Sequence, residues 1–219
     1  MMMTPSFHLT EDLILAYAAG HLSEAVNLIV ACHLEMCDDC RAAVAAHEAL
    51  GGTLLETGES AALNETALDD VLALIRATPE ERAAQPIAAA PQDKVLPSPL
   101  RDYVGGSLEA VRWRPVGMGV KQAVLPTSRA ATARLLYIPA GTAVPDHAHG
   151  GLELTLVLQG AFSDETGRFA RGDIEIAHED LQHMPVADIS EDCICLAVTD
   201  APLRFSGWLP RLAQPFIGI

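Results

Sequence analysis

A proline-rich segment divides this 219-residue chain into two parts with different sequence periodicity. Residues 79–100 contain five prolines, at positions 79, 86, 91, 97 and 99, interspersed with alanines. Because proline lacks the backbone donor and clashes with the preceding helical turn, neither helix nor sheet is expected to accept this density. We interpret the segment as a linker between a domain at residues 1–78 and a second domain at residues 101–219.

The residues before the linker have helical periodicity and predict four short helices. Thr10 and Ser23 are the predicted N-caps of the first two, the first helix covering residues 11–19. The third is expected to follow Cys40 and to end at Gly51-Gly52, and Asn64 is the predicted cap of the fourth. An apolar stripe at helical spacing marks the second helix at Val26, Ile29, Val30 and His33 and the fourth at Leu68, Val71, Leu72 and Ile75.

The residues after the linker have strand periodicity. Short runs rich in β-branched and apolar residues are separated by Gly, Pro and Asp: VRWRPV, QAVLP, ARLLYIP, LELTLVLQGAF, DIEIA and CICLAV. Many short strands with regular turn signals predict a barrel or sandwich. The expected fold class is therefore α+β with two domains, a small helical bundle followed by an all-β barrel.

The helical part carries the metal-ligand pattern His33-x3-Cys37-x2-Cys40. At this spacing the three side chains converge on one helix face, or on a helix end and the turn beyond it. A structural zinc site takes four nitrogen or sulfur ligands in a tetrahedron. We expect His8 to be the fourth, with Cys32 as its competitor. A redox-active CxxC pair and inert helical thiols remain alternatives.

The β part carries a second pattern, in which His147 and His149 precede Glu153 and a further histidine, His183, follows. On a strand, residues two apart project from the same side, which in a small closed barrel can be the interior. A buried carboxylate is costly unless a cation compensates its charge. Three imidazoles and one carboxylate suit zinc, manganese, iron or nickel.

This second pattern closely resembles the cupin superfamily. The first cupin motif is matched at each defining position, namely Gly141, His147, His149, Glu153 and Gly160. The second motif is matched at Gly172 and His183. Its usual Pro and Gly positions hold His178 and Asp180, and its closing Asn position holds Ala187. The resemblance implies a cupin β-barrel without implying a particular enzymatic activity.

The helical pattern of His8, His33, Cys37 and Cys40 resembles the zinc-binding anti-sigma domain. A zinc anti-sigma domain followed by a cupin is similar to the ChrR-type anti-sigma factors. The resemblance to that family covers nearly the whole chain. It includes the stretch from Asp146 to Glu165 and the ending Leu209–Phe216. It implies binding and inhibition of an alternative sigma factor of RNA polymerase, of the extracytoplasmic-function type. It also implies that the barrel permits release under an oxidative signal such as singlet oxygen.

The net charge of −15 argues against direct DNA binding, because acidic surfaces repel phosphates. Residues 1–78 hold 12 acidic side chains and only two basic ones, Arg41 and Arg76. Such a surface keeps a small domain soluble, or it meets a basic partner. Sigma factors use basic surfaces to reach promoter DNA, so an acidic helical domain is suited to compete for them.

The location and the thiols can also be predicted from the sequence. The chain lacks an apolar run of about 18 residues and starts without a secretory signal, so we expect a cytoplasmic protein with no membrane contact. Five cysteines in this pattern do not resemble a disulfide framework. Cys193 and Cys195 share a strand face and are interpreted either as inert apolar residues or as oxidant sensors.

Two hypotheses for the function follow from these patterns. In the first, the protein is an anti-sigma factor without enzymatic activity, and its barrel is a sensor with no identified small-molecule ligand. In the second, it is a cupin metalloenzyme, such as a dioxygenase, an isomerase or a decarboxylase, with a helical zinc-binding appendage.

Overall fold

The computed structural model describes residues 4–78, 93–145, 147–148, 150–177, 182–201 and 204–205. The helices in these ranges are α1 (Glu11–Ala18), α2 (Glu24–Met36), α3 (Asp38–Thr57), α4 (Ala67–Ala77) and α5 (Ser98–Val104), followed by a short 3-10 turn at Leu108–Ala110. The strands are β1 (Arg114–Gly117), β2 (Val120–Val124), β3 (Thr132–Ile138), β4 (His147–Ala148), β5 (Glu153–Gln159), β6 (Ala161–Ser163), β7 (Arg168–Ala170), β8 (Ile174–Ala177), β9 (Gln182–His183), β10 (Val186–Ala187), β11 (Cys193–Thr199) and β12 (Arg204–Phe205). Helices followed by a β-sheet domain confirm the predicted fold class.

The first two helices begin where their caps predict, whereas the next two differ from the sequence analysis. The Thr10 hydroxyl oxygen accepts a hydrogen bond from the Leu13 amide, and Ser23 directly precedes α2. α3 begins at Asp38, before Cys40, and does not end at Gly51-Gly52 but continues to Thr57. An exposed glycine weakens a helix by only about 1 kcal/mol, which its neighbours can offset.

α4 begins at Ala67 with Thr66 in the capping position, and not directly after Asn64. The Ala67 amide donates to the Asn64 carbonyl, so a turn lies between Asn64 and the helix. The Thr66 hydroxyl donates to the Asp70 carboxylate across the first helical turn. No helix in the described ranges combines the length and the apolarity that crossing a membrane would require.

The last residues of the predicted linker form a helix, contrary to the expectation from their prolines. α5 starts at Ser98 with Pro99 in its first turn, where the missing amide would have had no helical partner. Leu96 and Leu100 are buried and anchor this segment in the core. Residues 79–92 lie outside the described ranges, and the division at residues 1–78 and 101–219 remains a prediction.

The strands form antiparallel sheets. Among the described strands, the largest sheet has six, in the order β1-β2-β3-β11-β5-β8, with β11 between β3 and β5. Two three-stranded sheets have the orders β10-β6-β7 and β12-β4-β9. The last of these pairs His147 with His183, so the two predicted ligand segments are neighbours.

α2 packs against two helices, α3 and α5, and against the large sheet. Its apolar residues contact α3 and α5 as well as β3, β5 and β11, and one continuous hydrophobic cluster contains residues of both parts of the chain. The stripe at Val26, Ile29, Val30 and His33 is fully or almost fully buried. The stripe on α2 therefore belongs to the core.

Candidate metal centres and partner surface

The structure brings four predicted ligand residues of the helical part together. His8 precedes α1, His33 lies in the last turn of α2, Cys37 joins α2 to α3 and Cys40 lies in the first turn of α3. One nitrogen or sulfur atom from each lies within 4.8 Å of the others. The His8 Nδ1 atom is 3.3 Å from Cys37 Sγ and 3.6 Å from Cys40 Sγ, and His33 Nε2 is 3.3 Å from Cys40 Sγ. We call these four residues the helical cluster.

The helical cluster has the chemistry and the spacing of a structural zinc site. Zinc–nitrogen and zinc–sulfur bonds of about 2.0–2.3 Å place tetrahedral ligand atoms roughly 3.3–3.8 Å apart, and the three separations given above lie in this range. Burial lowers the pKa of His33 to about 4, although its hydrogen bond to Gly172 opposes the shift. The imidazole is therefore neutral, as a metal ligand must be.

Cys32, the competing candidate for the fourth ligand, lies outside the helical cluster. Burial raises the pKa of its thiol to about 12, with the Glu35 carboxylate adding to the shift and the Leu100 backbone opposing it. The ligand atoms of His8, His33, Cys37 and Cys40 lie within 4.8 Å of one another, and Cys32 is not among them. Among the described residues, the structure therefore favours His8 over Cys32.

The predicted barrel site is described in part. His147 pairs with His183 across β4 and β9, and Glu153 is buried at the start of β5. Although burial lowers the pKa of His183, the negative charge of Glu153 is one of the influences that raise it. His149 and the side chain of His147 lie outside the described residues.

Two carboxylates that the sequence analysis missed contact His183. Its Nδ1 atom is 2.7 Å from an Asp164 carboxylate oxygen and 3.2 Å from a Glu175 carboxylate oxygen. The Asp164 side chain is fully buried, and its other oxygen accepts hydrogen bonds from Thr166 and Gly167. Together, Asp164, Glu175 and His183 form what we call the barrel cluster. A signal for Glu175 is its charge within the apolar run DIEIA, but Asp164 sits in a turn and has no such signal.

The barrel cluster has strongly perturbed acid–base properties. Burial raises the pKa of Glu175 to about 7, while the His183 imidazole opposes that shift. Burial alone would lower the pKa of His183, but its bonds to Glu175 and Asp164 raise the pKa to about 9. Burial also opposes ionisation of Asp164, yet hydrogen bonds from Glu175, Thr166 and His183 hold its pKa below the usual range. The Asp164 and Glu175 carboxylates thus both contact the Nδ1 atom of the His183 imidazole.

The two barrel cysteines are buried thiols. Cys193 and Cys195 lie on β11 with their sulfur atoms 3.5 Å apart and are not joined in a disulfide. The hydrogen bond with Cys193, together with burial, raises the pKa of Cys195 well above its usual value. Cys195 is therefore a thiol and not a reactive thiolate at neutral pH.

α4 presents an exposed apolar stripe. Leu68, Val71 and Ile75 are 70%, 54% and 63% exposed, and none of the α4 residues is buried. Spaced three and four residues apart, they lie on one helix face, which we call the α4 surface. Such a face is typical of a site for a protein partner.

The comparisons with known proteins cover both parts of the chain. Residues 103–203 match the family described as the ChrR cupin-like domain. Over 217 residues the chain is 56% identical to the anti-sigma-E factor ChrR of Cereibacter sphaeroides, which covers 99% of this chain and 100% of that protein. A crystal structure of Rhodobacter sphaeroides SigE in complex with the anti-sigma ChrR matches with a TM-score of 0.77 and 54% identity, covering 90% of this chain and 99% of that one.

Proposed function

The chain belongs to the family of the ChrR anti-sigma factors, and on that premise we propose that it binds and inhibits an alternative sigma factor of the extracytoplasmic-function type. The observation that carries this proposal is 56% identity to an anti-sigma-E factor over nearly the whole length of both chains. A relative with 54% identity is bound to SigE in a crystal structure. An anti-sigma factor acts by binding, so this function requires no catalytic residue, and it is favoured over the cupin-enzyme hypothesis.

The α4 surface is the proposed docking site for the sigma factor. Its apolar side chains are exposed in the isolated chain, and burial in an interface would remove them from water. Asp69 and Asp70 on the same helix add negative charge near this surface. The net charge of −15 supports a basic protein partner and disfavours DNA or an anionic membrane. Binding of a sigma factor would take place in the cytoplasm.

Zinc in the helical cluster is proposed to hold the helices in their binding arrangement. His8 precedes α1, while Cys37 connects α2 and α3, so a single ion ties three elements together. α1 buries only Ile14, and α3 buries only Cys40 and Val44. Helices with so few fully buried residues are expected to gain stability from a bound metal.

The barrel is proposed to hold a second metal, through His147, His149, Glu153 and His183. The donor types suit zinc and equally suit manganese, iron or nickel. The two carboxylates at His183 Nδ1 leave Nε2 as the nitrogen that would bind the ion. When bound, such an ion would supply charge compensation for the buried Glu153.

We further propose that residues 101–219 are the sensor and that an oxidative signal such as singlet oxygen releases the sigma factor. Release requires that the chemically altered protein bind the sigma factor more weakly than the unaltered protein does. A change in the barrel must therefore reach residues 1–78. The packing of α2 against β3, β5 and β11 provides physical contact between the two parts.

Asp164→Asn is expected to weaken metal binding in the barrel by about 10- to 100-fold, because a carboxylate that orients a ligand histidine is lost. The amide oxygen of asparagine can still accept from Thr166 and Gly167, so the turn is kept. Competition with a chelator would measure the affinity. Asp188→Asn is the matched control, since Asp188 pairs with the exposed Arg168. Equal affinities of both variants would contradict a positioning role for Asp164.

Affinity purification tests the proposed function directly. The tagged full chain, isolated from its own bacterium, is expected to retain a sigma factor in stoichiometric amount. The purified chain should then block transcription by RNA polymerase carrying that sigma factor. Recovery without a stoichiometric sigma factor, together with turnover of a small metabolite, would instead support the cupin-enzyme hypothesis.

A further inference from the structure

The turn between β7 and β8 contacts the helical cluster. We call residues 171–173 the β7–β8 turn. The Gly172 carbonyl lies 2.9 Å from His33 Nδ1, and the Asp173 carboxylate accepts hydrogen bonds from the Ser6 amide at 2.6 Å and the Phe7 amide at 3.1 Å. The barrel therefore contacts His33 directly and holds the two residues that precede His8.

The contact at His33 determines which ring nitrogen carries the proton. A carbonyl oxygen only accepts hydrogen bonds, so the Nδ1 atom of His33 must be the donor to Gly172. The neutral ring then presents the lone pair of Nε2, the atom that lies 3.3 Å from Cys40 Sγ. His33 is 0% exposed, so no water can substitute for this carbonyl without a rearrangement. This backbone group thus selects the tautomer that can bind a metal.

The contact at Asp173 positions the chain next to His8. The carboxylate holds two successive amides, those of Ser6 and Phe7, and the Ile174 amide donates to the Phe7 carbonyl at 3.4 Å. The Phe7 ring packs against Phe169 with centroids 4.3 Å apart. His8 is the next residue, so its backbone position depends on the barrel.

Close packing at Gly172 requires a glycine. Its φ angle is +93°, and an added Cβ would lie 3.0 Å from Pro5 Cγ and 3.6 Å from Met36 Cε. Pro5 precedes the segment held by Asp173, and Met36 adjoins Cys37. An alanine here would be strained by its positive φ and would have to displace Pro5 by a few tenths of an ångström, whereas Met36 stays at an ordinary contact distance.

We propose that the β7–β8 turn is a positioning element of the zinc site, so that zinc affinity in the helical cluster and docking of the barrel are thermodynamically linked. The inference rests on the zinc site of the proposed function and adds a means of regulating it. Because linkage is reciprocal, zinc should tighten the barrel contact as much as the contact tightens zinc. β8 also carries Glu175 of the barrel cluster, two residues after Asp173. A displacement of this strand would thus reach both clusters.

Zinc release from the full-length protein tests the proposal. Gly172→Ala is expected to release zinc to an excess of chelator at least about tenfold faster than the unchanged chain, as for other residues that orient metal ligands. The matched control is Gly105→Ala, because Gly105 also has a positive φ, +77°, but nothing lies within 4 Å of its added Cβ. Equal release rates for the two folded variants would overturn the proposal.

Hydrogen exchange of the unchanged chain gives a second readout that does not depend on how the variants fold. Removal of zinc is expected to speed exchange of the Ile174 amide at least about tenfold, while the Leu196 amide in the centre of the sheet keeps its protection. Unchanged exchange at Ile174 would overturn the proposed linkage. A chain that binds no zinc at all would instead refute the zinc site in the proposed function, and the two failures are therefore distinguishable.

Discussion

Replacing Cys37 and Cys40 together with serine is expected to abolish zinc binding in the helical cluster and to weaken sigma-factor binding at least about 100-fold. Structural zinc contributes on the order of 10 kcal/mol in small domains whose fold depends on it. α1 and α3 bury few residues, so without the ion their packing against α2 should loosen. Elemental analysis would measure the zinc, and a titration of labelled sigma factor would measure the dissociation constant.

A third buried cysteine of the helical part provides the control for this experiment. Cys32→Ala alters the residue beside His33, but Cys32 lies outside the helical cluster and stays protonated. This variant should retain zinc and bind the sigma factor with nearly the affinity of the unchanged chain. A double serine variant that lacks zinc yet binds the sigma factor normally would show that the ion has no part in the docking shape.

Ile75→Glu is expected to weaken sigma-factor binding by about 30-fold or more without unfolding the protein. A charge placed in the apolar centre of an interface typically costs at least about 2 kcal/mol. In the isolated chain the side chain is 63% exposed, so the same charge is well solvated there. Binding would be measured by titration, and circular dichroism would establish that the helices are intact.

The same helix supplies a matched control. Ala73→Glu adds an identical charge about 160° around α4 from Ile75, outside the α4 surface. We expect this variant to bind the sigma factor within about threefold of the unchanged chain, since a charge outside the contact surface stays solvated on binding. If both glutamate variants lost affinity equally, the effect would come from net charge and the α4 surface would not be the docking site.

Local patterns were sufficient to predict much of the fold. The caps at Thr10 and Ser23 mark the observed starts of α1 and α2, and the longest apolar runs became β3, β5 and β11. The spacing of His33, Cys37 and Cys40 brings these residues together because one helix end and one turn suffice. Each of these features depends on residues close in sequence.

Features that depend on distant residues could not be predicted in this way. α3 continues through two glycines, and α5 begins in a proline-rich segment whose Leu96 and Leu100 are buried. Asp164 meets His183 across 19 residues, and Gly172 meets His33 across 139. No periodicity encodes such contacts, because they arise only when separate elements pack.

The place of α2 also has a consequence for biosynthesis. Its apolar residues are covered by β11, which the ribosome translates more than 150 residues later, a delay on the order of ten seconds at bacterial rates. Throughout that interval the apolar face of α2 is not yet packed against β11. We therefore expect this nascent chain to be a client of chaperones that shield hydrophobic segments during translation. Truncation before β11 should yield aggregates.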